Sequence, residues 1–105
     1  MSAVLVFCTC PDEAVAERIA TAIVEERLAA CVNRLPAIAS TYRWKGEICR
    51  DSEYLLLIKT ASERFAALRE RIVALHPYEL PEVIAVDVVR GLPSYLDWIA
   101  AETRP

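Results

Sequence analysis

Residues 3–13 read Ala3-Val4-Leu5-Val6-Phe7-Cys8-Thr9-Cys10-Pro11-Asp12-Glu13 and change character at the proline. The run to Phe7 is short, apolar and rich in β-branched residues, and Pro11 biases Cys10 towards extended backbone, so the stretch predicts a strand. Pro11 then suits the first turn of a helix, with Asp12 and Glu13 against the positive end of its dipole. Ala16, Ile19, Ala20, Ile23 and Val24 recur at three- and four-residue spacing, which carries that helix to about Leu28.

The rest of the chain extends this beginning. Cys31 to Tyr42 is irregularly apolar around Pro36, the mark of an edge strand or a bulge. Lys45-Gly46 offers a turn, and Glu47 to Lys59 returns as the second arm of a long hairpin. Thr60-Ala61-Ser62-Glu63 has capping-box spacing ahead of Phe65, Leu68, Ile72 and Leu75 on one helical face. Pro77 and Pro81 bound the following loop, and Val83 to Val89 is a further strand. Gly91 and Pro93 break it before a short helix around Tyr95, Leu96, Trp98 and Ile99.

The order β-α-β-β-α-β-α predicts one α+β domain over residues 1–105, on the ferredoxin-like βαββαβ plan with an added C-terminal helix. In that plan the helices cover one face of an antiparallel sheet, and the other face is normally polar. Here Ala3 to Phe7, Tyr54 to Ile58 and most of Val83 to Val89 are apolar on both alternating sets. The expectation is self-association through the uncovered face. The alternative is shielding by the hairpin and the C-terminal helix.

Composition removes several classes of function. Twelve Lys and Arg against fifteen Asp and Glu, scattered without a basic stripe, argue against nucleic acid. Two glycines, Gly46 and Gly91, allow neither a dinucleotide fingerprint nor a P-loop. The apolar runs are far shorter than the ~18 residues of a membrane helix, and no basic segment precedes an apolar one at the start. A soluble, cytoplasmic protein is expected, with Cys8, Cys10, Cys31 and Cys49 as reduced thiols.

Chemistry concentrates at few places. Cys8 and Cys10 share a strand face roughly 6.7 Å apart along the chain, whereas two sulfurs on one metal lie within about 4.6 Å of each other. They are weak thiolate ligands for a soft ion such as Cu(I), or for Zn(II), or else small buried hydrophobes. His76, the only histidine, opens His76-Pro77-Tyr78-Glu79-Leu80-Pro81-Glu82, a connection rich in ligand and acid–base groups. It is a metal-ligand candidate, or it caps the helix C-terminus. Trp44, in the aromatic and charged hairpin tip, fits an interface or the hairpin's own packing. Lys59, at the end of an apolar strand, either reaches an anion or is solvated. An enzyme using His76 and Glu79 as acid and base lacks a nucleophile and an oxyanion loop.

Leu28-Ala29-Ala30-Cys31-Val32-Asn33, Tyr42-x-Trp44-x-Gly46, Ile58-Lys59-Thr60, His76-Pro77-Tyr78-Glu79-x-Pro81-Glu82, Gly91 and Tyr95-Leu96-x-Trp98 together resemble the CutA, or divalent-cation tolerance, family over nearly the whole chain. The resemblance implies a homotrimer similar in architecture to the PII proteins, without catalysis, and copper or another divalent cation as ligand. It implies Cys8 and His76 as the metal ligands. A second reading is a PII-like signalling trimer that binds a small anion in an intersubunit cleft lined by Trp44, Lys59, Tyr78 and Glu79. Leu75 stands where some members carry a second histidine, Pro36-Ala37 replaces Pro-Gly, and Cys10 lies outside the family pattern.

Overall fold

Strand β1 spans Ala3–Cys10 in the computed structural model, which describes residues 2–105. Helix α1 spans Glu13–Glu25, and its cap is Asp12, whose carboxylate accepts from the Val15 amide at 2.9 Å. Pro11 therefore precedes the cap rather than entering the first turn. The helix also stops before Leu28. Arg27 is left-handed at φ 60°, its N–H reaches the Val24 carbonyl at 3.1 Å, and the Leu28 N–H reaches the Ile23 carbonyl at 2.9 Å. This closure folds Leu28 back into the core beside Ile23 and ends the helical register.

Strands β2 (Cys31–Trp44) and β3 (Glu47–Ala61) form the long hairpin. Its two-residue turn has Lys45 at φ 50° and Gly46 at φ 81°, the signs that match the natural twist of a hairpin. The expected irregularity at Pro36 is a register shift between Leu35 and Ile38, with Ala37 at φ 56°. After a single 3-10 turn, helix α2 spans Phe65–Leu75 without a side-chain cap. The expected capping box does not form, because Thr60 is fully buried and its hydroxyl donates to the Leu28 carbonyl at 2.7 Å. Strand β4 (Ile84–Val88) and helix α3 (Pro93–Glu102) complete the chain.

The sheet order is β2-β3-β1-β4, with every pair antiparallel, which is the split βαβ arrangement. β1 lies inside it, Val6 opposing Ile58 on one side and Ala85 on the other. Val4, Val6, Cys8, Cys10, Leu56 and Ile58 pack with Ile19, Ile23, Leu68 and Ile72 of the two covering helices. The alternate residues Leu5, Phe7, Leu55 and Leu57 are only half-buried. Ile84 and Val86 beside them remain 58% and 50% exposed. Helix α3 covers one end of this second face, where Ile99 packs with Ala3, Ala30 and Val88. The C-terminal helix thus shields part of the apolar face and leaves the rest open. Among the described residues no helix is long and apolar enough to cross a membrane.

Candidate metal centre and adjoining cleft

Strand parity puts Cys8 and Cys10 on the helix-covered side of β1, opposite Leu56 and Tyr54 of β3. Both are fully buried. Helix α2 ends beneath them at Leu75, and the proline that follows His76 favours extended backbone there; His76 is at φ −83°, ψ 136°. Its main-chain N–H closes the last helical turn on the Ile72 carbonyl at 2.8 Å. Its ring turns away from the helix. Nε2 lies 2.8 Å from the Thr9 carbonyl and Nδ1 accepts the Tyr78 amide at 3.2 Å. A carbonyl only accepts, so Nε2 carries the proton and both ring nitrogens are partnered. The expectation that the imidazole caps helix carbonyls is replaced by this bond to β1.

These placements bring one ligand atom from each of Cys8, Cys10 and His76 within 4.8 Å of one another, the one such group of three among the described residues. The two thiols are unequal. The neighbouring Cys10 sulfur, followed by burial, pushes the Cys8 thiol well above the ordinary range. Cys10 is drawn below it, chiefly by accepting from Cys8. Cys10 is thus the sulfur that more readily carries charge. The Cys8 sulfur also lies 3.8 Å from the Thr9 carbonyl oxygen.

Beyond His76 opens a cleft of about 690 Å³ lined by Thr9, Trp44, Glu53, Tyr78, Glu79 and Glu82 among others. The Tyr78 hydroxyl donates to the buried Glu53 carboxylate at 2.7 Å. Burial and then this bond raise the Tyr78 phenol above its usual range. Tyr42 donates to Asp51, which pushes its phenol up to about 12. The sequence profile of the CutA1 divalent ion tolerance protein matches residues 4–102.

The chain belongs to this CutA1 family. It is 52% identical over 99 residues to the divalent-cation tolerance protein CutA of Thermus thermophilus, covering 94% of this chain and 96% of that protein. It is 54% identical over 98 residues to Protein CutA of Mus musculus, where it spans 93% of this chain and 55% of the longer relative. The crystal structure of CutA from Xylella fastidiosa superposes with a TM-score of 0.96 at 52% identity, covering 99% of this chain and 100% of that one.

Against this CutA1 framework the candidate residues separate into two groups and an outlier. Cys8 and His76, which lie on different elements and whose meeting within one subunit the sequence did not require, come together within one chain, and Cys10 joins them. Trp44, Tyr78 and Glu79 line the cleft, with Glu79 also 3.5 Å from Lys45 at the surface. Lys59 is elsewhere. It donates to Asn33 and lies 4.0 Å from the Cys31 sulfur, six residues and roughly 20 Å along β3 from Glu53. Glu53 was missed from sequence. Its signal was a carboxylate directly before the apolar run Tyr54 to Ile58, where a charge needs a partner.

Proposed function

We propose that this CutA1 family member is a trimeric, non-catalytic metal-binding protein of divalent-cation tolerance in the cytoplasm, taking copper or another divalent cation at Cys8 and His76. The observation that carries this reading is the buried meeting of a β1 thiol with the imidazole at the end of α2, inside a single chain. Sulfur with imidazole nitrogen is a donor set for copper and zinc rather than for calcium or magnesium. The relative from Thermus thermophilus carries the name of a divalent-cation tolerance protein. Support for a trimer comes from the open apolar face, since two half-exposed aliphatic side chains on β4 adjoin Leu5 and Phe7 of β1. Four unpaired cysteines suit a reducing compartment.

A catalytic role has little to work with. Both nitrogens of His76 are occupied by main-chain partners, and Glu79 sits at the surface with Lys45. The reading of a PII-like trimer with a small anionic ligand is also weakened, because Glu53, Glu79 and Glu82 line the cleft and Lys59 does not. An anion there would meet three carboxylates against the single guanidinium of Arg43. The test is a copper titration of the full chain with Cys8→Ala and His76→Ala, alongside native mass by light scattering. Weaker binding in both variants and a mass about three times 11.7 kDa are expected. Unchanged affinity in both removes the ligand assignment, and a wild-type monomer removes the trimer.

A further inference from the structure

Resting on the reading of the chain as a metal-binding protein, we infer that the ion is held first by Cys8 and Cys10 as a dithiolate, with the His76 imidazole as third ligand, and that this makes the site one for Cu(I). The hydrogen bonds set the order of the ligands. His76 must give up a partner to bind, since Nε2 is engaged with the Thr9 carbonyl at 2.8 Å and Nδ1 with the Tyr78 amide at 3.2 Å. The sulfurs give up far less, because their contacts are the weak thiol bond from Cys8 to Cys10, which deprotonation removes in any case, and the long approach of Cys8 to the Thr9 carbonyl at 3.8 Å. Losing a sulfur contact of that length leaves no strongly polar group orphaned.

Distance and coordination number then select the ion. Around a three-coordinate metal with bonds of about 2.0–2.3 Å, neighbouring ligand atoms stand roughly 3.7–4.0 Å apart. The three ligand atoms already lie within 4.8 Å, so the site closes by a movement of about 1 Å. Cys8 and Cys10 are fully buried and His76 is 7% exposed, so protein ligands rather than bulk water make up most of the shell. Among the described residues no fourth Cys, His, Asp or Glu joins the group. Structural Zn(II) wants four ligands and Cu(II) a tetragonal N,O set, whereas thiolates select Cu(I). Each thiol passes its proton to solvent and its sulfur lone pair to the metal. One Cu(I) thus leaves a dithiolate complex of charge minus one, two protons are released, and the copper keeps its oxidation state.

The experiment is competition for Cu(I), kept reduced, between a chromogenic Cu(I) chelator and the full chain in a Cys31→Ser, Cys49→Ser background. Into this background Cys8→Ala, Cys10→Ala and His76→Gln are introduced. Cys8→Ala and Cys10→Ala are expected to lose more than about 100-fold in affinity, beyond what losing an outer-sphere partner does, and His76→Gln about tenfold. X-ray absorption of the copper-loaded unmutated chain, which needs no variant to fold, should count two sulfurs at the metal. Wild-type affinity in Cys10→Ala, together with one sulfur at the copper and loss of binding in His76→Gln, would overturn the dithiolate and keep the Cys8–His76 reading. An unmutated chain that binds no copper in either oxidation state overturns both.

Discussion

Replacing Ile84 and Val86 together by lysine should break the proposed trimer and spare the fold. In one chain these side chains are 58% and 50% exposed on strand β4, so the lysines can extend into water at little cost to the monomer. In an assembly that covers this face, the half of each side chain still exposed is buried. Full burial of an isoleucine or valine is worth about 1.5–3 kcal/mol, so the newly buried part contributes about 1 kcal/mol per residue, about 2 per chain and about 6 over three chains. At 1.4 kcal/mol per factor of ten, the trimer constant falls by about 10⁴. Because trimer formation depends on the cube of monomer concentration, the midpoint concentration rises by about 100-fold, and an unpaired ammonium in the interface adds to this. Light scattering over a dilution series should give about three times 11.7 kDa for the unmutated chain, and the double variant should fall to 11.7 kDa at concentrations about 100-fold higher than those at which the unmutated chain does. Circular dichroism should remain that of the folded chain. A double variant that stays trimeric with an unmoved midpoint would refute burial of this face.

Three further outcomes follow from single residues. Thr60→Val removes the hydroxyl that satisfies the Leu28 carbonyl in a fully buried position and should lower stability by about 1–3 kcal/mol in urea unfolding at fixed protein concentration, while Thr60→Ser should recover most of it. Ala37→Gly relieves a left-handed alanine at the β2 bulge; the relief of about 1–2 kcal/mol exceeds the extra freedom glycine brings to the unfolded chain, so the same assay should show a gain of up to about 1 kcal/mol. Tyr42, raised from 10 to about 12 by donating to Asp51, should show its phenolate absorbance near pH 12; a raised value means that the folded chain favours the neutral phenol, so its contribution to stability is complete below pH 10 and is lost as pH rises through 12, a limb that Tyr42→Phe should remove.

The fold was legible because its signals are local. The proline after Cys10, the four-residue rhythm of α1, the Lys45-Gly46 turn and the doubly apolar strands each depend on a few neighbouring residues, and the structure keeps the elements they mark, with α1 shortened at both ends. The capping box misled because Thr60 has two uses: its hydroxyl can serve a helix or a distant carbonyl, and the buried Leu28 carbonyl takes it. The site was legible only as a set of residue types. Cys8 and His76 are far apart in sequence, and nothing short of the strand order shows that α2 ends beneath β1. Lys59 shows the opposite failure, since a cationic strand end looks alike whether it faces the cleft or, as here, Asn33.

The hydrogen bonds also tie the two parts of the site together through one dipeptide step. Tyr78 gives its amide to the His76 ring and its hydroxyl to Glu53, so the same residue holds the imidazole under β1 and closes the floor of the cleft. Withdrawing the ring from the Tyr78 amide, as coordination through Nδ1 demands, frees an N–H whose nearest replacement partner is water at the cleft. Withdrawing it from the Thr9 carbonyl instead frees an acceptor on the central strand, between two cysteines that lie in the core. Thr9 and Tyr78 both line the cleft, so either exchange frees a main-chain group beside it, and an imidazole that joins the sulfurs does so at the cost of one hydrogen bond. That cost is why the histidine variant is expected to lose less affinity than the two cysteine variants.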